Sequence, residues 1–425
     1  MIYVILLFLP SVISYGWVPL IDLKRYNTKK PSEIKVLDKN LVIWEKNDEI
    51  IVQDNACIHR GGPLSEGYID PQTKNLHCSY HGWEFNEKGK VLSIPQQNKN
   101  CNTCKFNQKT FETFESCHIL WINLNETTCE FPNHIHKYNT TISDDIFVAE
   151  VPYSMNILLE NLFDPAHIPF AHHKLQSTRD LASTVNSSAL TMNNSLLEIY
   201  FEDSTLREGQ YRNGTMSFYD PCHYELYTIY PKSLIRRLHV YCVPILPFKT
   251  RIFVQYEYEE GLFKTVYSAL PSWLKHLVTH TFFDSDTMLL YKQEQMLRTK
   301  NKLKDCVQTY NTPTSSDNSI RIFHKWKKRF PQKWSNMINS YENRTLELTR
   351  KEVFDRYNDH TKFCTHCSGA LKNIEKAQLY FPVLIFIHSL YFCNYYENLL
   401  SVVVYFMLQK FRSYFIFRDY VHNEL

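Results

Sequence analysis

The stretch Cys57-Ile58-His59-Arg60-Gly61-Gly62-Pro63-Leu64-Ser65 and its answer, Cys78-Ser79-Tyr80-His81-Gly82-Trp83, decide the reading of the N-terminal part of the chain. Each arm offers one thiolate and one imidazole, as Cys57-X-His59 and Cys78-X2-His81. That donor set suits a tetrahedral zinc ion. It also suits a two-iron, two-sulfide cluster with both cysteines on one iron and both histidines on the other. The neighbouring residues favour the cluster. Each arm runs on into glycine, Gly61-Gly62 and Gly82, as expected where backbone N–H groups approach cluster sulfurs closely. A zinc finger would place its second pair as two histidines on a helix.

The arms, continued as Cys-Ser-Tyr-His-Gly-Trp-Glu-Phe through Phe85, resemble those of Rieske-type non-haem iron oxygenases. Within that family they resemble the branch that includes pheophorbide a oxygenase and chlorophyllide a oxygenase. The resemblance covers roughly Trp17 to Cys367 and implies a [2Fe–2S] cluster held by Cys57, His59, Cys78 and His81. Around the arms, short alternating runs such as Ile34-Lys35-Val36, Leu41–Trp44, Ile50–Val52 and Ile119–Ile122 read as antiparallel strands of a small β domain over 17–125.

At 425 residues the chain exceeds one ordinary domain. A net charge of +3 gives no support to a nucleic-acid partner. Twelve cysteines are scattered unevenly and two are committed to the arms, so a disulfide framework is not the natural reading. Cys101 and Cys104 read as loop cysteines or half of a metal or redox site, and Cys117 as a small buried one. Residues 1–16 form a signal- or targeting-like segment with an apolar run from Ile2 to Ile13.

A second constellation follows the polar interval after Asn123: Glu160-Asn161-Leu162-Phe163-Asp164-Pro165-Ala166-His167-Ile168-Pro169-Phe170-Ala171-His172-His173. Asp164 and His167 are three apart, which places them on one helix face, whereas His167 and His172 diverge unless the helix breaks. Pro169 predicts that break. Two histidines plus a distant carboxylate make the facial triad of mononuclear iron oxygenases, which leaves adjacent positions open for dioxygen. The resemblance assigns His167 and His172 to the iron, with a carboxylate from the start of a downstream helix. Asp284-Ser285-Asp286-Thr287 opens such a stretch; Asp286 matches best and Asp284 is the alternative. The same resemblance makes Asp164, with Asn161 beside it, a catalytic group on the electron path across a subunit interface, hence a homotrimer. His173 reads as structural.

Strand-like runs between the histidines and Asp286, with the resemblance, imply a helix-grip catalytic domain over 146–345; Gly209 to Tyr219 matches nothing in that pattern. The expected fold class is therefore α+β, an all-β Rieske domain followed by an antiparallel sheet with helices. The basic run Arg321 to Lys333 reads as a docking patch or a solvated loop. Cys364-Thr365-His366-Cys367, in a segment over 346–377, resembles the branch's C-terminal CXXC and implies redox regulation; a buried pair or a metal half-site also fits. The apolar runs Leu379–Cys393 and Leu399–Leu408 read as a membrane hairpin over 378–417, or as two buried amphipathic helices.

These readings imply a membrane-associated plastid monooxygenase, in thylakoid or inner envelope, that takes electrons from a ferredoxin. It would insert oxygen from O2 into a chlorophyll-derived tetrapyrrole such as pheophorbide a or chlorophyllide a. The alternatives are a Rieske sterol desaturase and a redox-sensing component of a plastid membrane complex.

Overall fold

The structure is a computed structural model. It describes residues 16–25, 30–37, 39–97, 105–125, 129–139, 141–207, 210–229, 235–258, 261–300, 309–331, 347–391 and 395–422. The signal-like run 2–13 and the Cys101/Cys104 pair lie outside the described residues. The rest falls into two compact units that divide at Thr141, with Pro331 grouped with the first.

The first unit is a set of three small antiparallel sheets. One is β1 (Trp17–Asp22), β11 (Ile119–Asn123) and β10 (Thr113–Ser116). The second runs β2 (Ser32–Val36), β3 (Lys39–Lys46), β4 (Glu49–Asp54) and β9 (Thr110–Phe111). The third is made of strands of two or three residues: β5 (Tyr68–Ile69), β6 (Leu76–His77), β7 (Glu84–Phe85) and β8 (Val91–Ser93). Strand β3 buries Leu41, Val42, Ile43 and Trp44 in succession, so both of its faces are covered. Its hairpin to β4 turns on Asn47 and Asp48, both at positive φ, which matches the twist of the strands they join. One short helix, α1 (Asn133–His136), follows β11.

The second unit is built on a seven-stranded antiparallel sheet in the order β12-β18-β17-β16-β15-β14-β13. Its strands are β12 (Phe147–Val151), β13 (Val185–Met192), β14 (Leu196–Arg207), β15 (Gln210–Tyr219), β16 (His223–Ile229), β17 (Ile235–Leu246) and β18 (Lys249–Tyr258). The unmatched stretch before Tyr219 is thus an interior strand, paired on both edges. Helices α2 (Met155–Leu162), α3 (Ile168–Ala171), α4 (Leu262–Ala269), α5 (Ser272–Thr299), α6 (Asn318–Arg329) and α7 (Arg350–Val353) belong to this unit. Helix α2 packs on β17 and α5, and α6 packs on β13. Fully buried rings, among them Phe163, Tyr224, Phe218, Phe323 and Trp326, meet edge-on or stacked between sheet and helices. Core packing therefore accounts for much of the aromatic content.

Three expectations change. Helix α5 begins at Ser272, behind Pro271, and not at Asp284, so the Asp-Ser-Asp-Thr run lies in mid-helix. The basic run is mostly helix rather than loop. Helix α6 buries Phe323 and Trp326 on one side and carries Lys325, Lys327, Lys328 and Arg329, while 332–333 lie outside the described residues. Lastly, α8 (Thr365–Tyr391) and α9 (Tyr395–Ser413) do form a hairpin, tied by Arg412 on Glu375 at 2.9 Å. Among the described residues, however, no helix is long and apolar enough to cross a membrane. Lys372, Glu375 and Lys376 interrupt α8, and Lys410 and Arg412 interrupt α9.

Candidate metal centres

The arms of the first unit are two copies of one turn. In the first, Cys57 N–H donates to Gly62 O (2.9 Å) and Gly61 N–H to Cys57 O (2.8 Å). In the second, Cys78 N–H donates to Trp83 O (2.9 Å) and Gly82 N–H to Cys78 O (2.8 Å). Each turn closes on a glycine in the left-handed region, Gly61 at φ +71° and Gly82 at φ +74°, where a side chain would be strained. Gly62 is needed for space: a Cβ there would lie 3.2 Å from Tyr80 Cβ and 3.5 Å from Cys78 Sγ.

Both cysteines are buried in a core cluster with Leu64, Leu76, Trp83 and Phe85, while His59 and His81 are partly exposed. The two imidazoles meet edge to face at 4.6 Å, and His59 stacks on Trp83. Burial, with Cys78 beside it, pushes the Cys57 thiol up to about 11, so a cation must supply the charge that makes it a thiolate. Among the described residues, three groups of His, Cys, Asp or Glu donors lie within 4.8 Å of one another, and this quartet is not one of them. Gln108, which the sequence did not single out, pins the first arm. Its Oε1 accepts from Ile58 N–H (2.9 Å), and its Nε2 donates to the carbonyls of Asp54 (2.7 Å) and Ala56 (3.0 Å).

In the second unit the chain does not break at Pro169. Helix α2 ends at Leu162, and a 3-10 turn over Pro165–His167 begins with Asp164 as its cap, Asp164 Oδ1 accepting from Ala166 N–H at 2.9 Å. Pro169 sits in the first turn of α3, where a missing N–H costs nothing. The two short turns bring His172 back to His167. Helix α2 is fixed to α5 at its start, where Glu294 accepts from Ser154 N–H (3.1 Å), and to β16 at its end, where Leu162 O accepts from Tyr224 Oη (2.6 Å).

This places His167, His172 and Asp286 around one point. The Nε2 atoms lie 3.2 Å apart, and Asp286 Oδ2 lies 3.4 Å from His172 Nε2 and 3.8 Å from His167 Nε2. Bonds of about 2.1 Å from one ion would hold adjacent donors about 3.0–3.5 Å apart. Both outer nitrogens are committed. His167 Nδ1 donates to Asp164 O. His172 Nδ1 donates to Ser285 Oγ at 2.7 Å, because the Ser285 hydroxyl itself donates to Phe282 O at 2.7 Å. Both Nε2 lone pairs therefore face inward, the arrangement that fixes metal-binding imidazoles.

Burial holds His167 at about 4 and His172 at about 3, and pushes the Asp286 carboxyl up to about 8 although Asn161 hydrogen-bonds it. Burial also pushes Asp164 up to about 6. Asp284 faces elsewhere: Arg356 Nε and Nη2 both donate to its Oδ2. His173 Nδ1 accepts from Arg179 N–H at 3.1 Å, away from the triad.

Two more donor groups lie in this unit. His223, Glu225 and His239 gather on β16 and β17, where Glu225 is shared with Arg237 at 3.3 Å. The other joins His276 and His360 to Cys364 and Cys367; neither histidine was singled out from the sequence.

Residues 16–115 match the model of the Rieske [2Fe-2S] domain, and residues 218–304 match that of pheophorbide a oxygenase. Pheophorbide a oxygenase of Oryza sativa subsp. japonica is 28% identical over 96% of this chain and 84% of its own length. Flavonoid 8-hydroxylase 2 of Ocimum basilicum is 26% identical over 86% of this chain and 75% of its own. Dicamba monooxygenase superposes with a TM-score of 0.56 at 15% identity, covering 74% of this chain and 97% of the other, which speaks for the fold alone. The chain thus carries a Rieske [2Fe-2S] domain and is similar over most of its length to pheophorbide a oxygenase, a likeness to the Rieske-type non-haem iron oxygenases, and its cofactors are a [2Fe–2S] cluster and a mononuclear iron.

Proposed function

We propose that the chain is a monooxygenase for a chlorophyll-derived tetrapyrrole, with the iron held by His167, His172 and Asp286 and the cluster by Cys57, His59, Cys78 and His81. The observation that carries the reading is the three-donor site, with both imidazoles locked Nε2-inward and His167 partly exposed. When bound, the cluster relays single electrons and the iron activates dioxygen. The chain's own residues set the stage. Ser285 and the Asp164 carbonyl fix the two tautomers, Asn161 steadies Asp286, and the buried wall behind His172 excludes water. His167 is the most accessible of the three, with 20% of its side chain exposed, so substrate approaches from its side.

The tetrapyrrole assignment rests on the relative that matches over 96% of this chain. The flavonoid hydroxylase favours a second reading, a planar phenolic substrate. A ferredoxin-like donor, a homotrimer in which Asp164 links one subunit's iron to the next subunit's cluster, and a plastid location complete the proposal; relatives named as chloroplastic support the last. The α8–α9 hairpin exposes Leu379, Tyr380, Phe386, Phe406 and Met407, an apolar surface suited to lying in a membrane interface.

The test is an aerobic single turnover of the pre-reduced, iron-loaded protein with pheophorbide a, chlorophyllide a, a flavone and a sterol. Products are read by mass. A product one oxygen heavier from a tetrapyrrole is expected. Oxidation of the flavone or sterol alone would overturn the substrate class.

A further inference from the structure

We infer that His276, His360, Cys364 and Cys367 form a closed tetrahedral site for a divalent cation of the zinc class, separate from both iron centres. Three chain segments build it. Helix α5 supplies His276, the wide helical turn Tyr357–Thr361 supplies His360, and the N-terminal end of α8 supplies both cysteines. All four side chains are buried, and all four donor atoms lie within 4.8 Å of one another.

The spacing is that of ligands on one ion. Cys364 Sγ lies 3.4 Å and Cys367 Sγ 3.6 Å from the same nitrogen, His276 Nδ1, and Cys367 Sγ lies 3.2 Å from His360 Nε2. Tetrahedral bonds of about 2.3 Å to sulfur and about 2.0 Å to nitrogen put sulfur and nitrogen about 3.5 Å apart.

The outer contacts point the same way. His276 Nε2 faces Asp145 Oδ1 at 3.3 Å, and Lys275 Nζ holds that carboxylate at 2.9 Å. His360 Nδ1 donates to Val148 O at 2.6 Å. Each imidazole thus spends its N–H on an outer acceptor and turns its lone pair toward the sulfurs, as zinc-bound histidines do. Cys367 N–H donates to Cys364 Sγ at 3.5 Å, so the first turn of α8 stabilises a thiolate there. Phe147 stacks on His360 and meets His276 edge-on, which dries the wall.

Four protein ligands leave no open position, so the site braces rather than reacts. It ties β12, α5 and the C-terminal hairpin together, on the same helix that carries Asp286. Burial also sets it apart from a thiol switch, whose sulfurs must be reachable.

Metal analysis of the full-length, cluster-loaded protein tests the site. Zinc should be bound in one equivalent per chain, survive dialysis and vanish in Cys364→Ser, whose cluster spectrum is unchanged. Should that variant fail to fold, cobalt(II) is loaded into Asp286→Asn, where the iron triad is disabled. Intense tetrahedral d–d bands with sulfur-to-cobalt charge transfer are the expected result. Absence of those bands, or Cys364 and Cys367 isolated as a disulfide or alkylated in the folded protein with no zinc bound, would overturn the proposal.

Discussion

Helix α5 carries two donor groups that differ in one respect that matters. At Asp286 the group has three donors and one partly exposed imidazole; at His276 it has four, all buried. The outer contacts are alike, since both groups fix their imidazoles through an outer N–H. Ligand count therefore separates the two roles. Three donors leave room for dioxygen beside substrate, and four complete the coordination shell. A carboxylate also suits iron that must take up oxygen ligands, whereas two thiolates suit zinc.

The comparison can be broken at its largest contrast first. His167→Ala or Asp286→Asn should abolish product formation while the cluster's visible and electron-paramagnetic spectra stay unchanged; residual turnover above the metal-free background would mean that the triad is not the reacting centre. Asp284, two residues away, should behave in the opposite sense. Asp284→Asn leaves the buried Arg356 uncompensated and should lower unfolding stability by about 3 kcal/mol, read by chemical denaturation, with iron still bound in the folded fraction.

A smaller effect is expected at Ser285. Ser285→Ala removes the acceptor for His172 Nδ1 and should reduce iron affinity or turnover by about 10–100-fold. Close to pH 8 a further effect, about tenfold for each unit, is one of pH. Asp286 in the metal-free protein sits near 8, so below that its proton must leave before the carboxylate can take iron. His167 and His172, held at about 4 and 3, are already neutral. Iron affinity should rise about tenfold per pH unit up to about pH 8 and then level off, measured by titration of the metal-free site. The sign for folding is the reverse. A carboxyl whose pKa is raised binds its proton more tightly when folded, so the metal-free fold loses stability as pH rises from about 4 to about 8.

What could be read from sequence follows from how local each signal is. The arms were legible because cysteine, histidine and the turn glycines stand within a few residues of one another. The strands around them were legible from alternation. The break was expected at Pro169, between His167 and His172; the chain breaks instead before His167, at Asp164-Pro165, and again after Ala171, because a proline in the first turn of a helix disturbs nothing. Asp284-Ser285-Asp286-Thr287 imitates a helix start, since short polar side chains cap helices. Burial beside Arg356 and the histidine pair lets these residues stay in mid-helix. His276 carried no sequence signal, and His360 only its nearness to the CXXC pair. His276 stands 88 residues from Cys364, and only the packing of α5 against α8 brings it there. His360 stands just before Cys364, on the turn Tyr357–Thr361, but a single histidine beside a CXXC pair was not singled out.

The central claim is that electrons delivered to the arms are used at the triad. The direct measurement is single-turnover product yield from pre-reduced protein mixed with dioxygen and pheophorbide a, in the native chain and in His167→Ala, with cluster reoxidation followed in parallel. The account predicts an oxygenated product from the native chain alone, with cluster oxidation coupled to it. Equal product from the His167→Ala protein, or none from the native chain and every other tetrapyrrole while its cluster reoxidises, would contradict it.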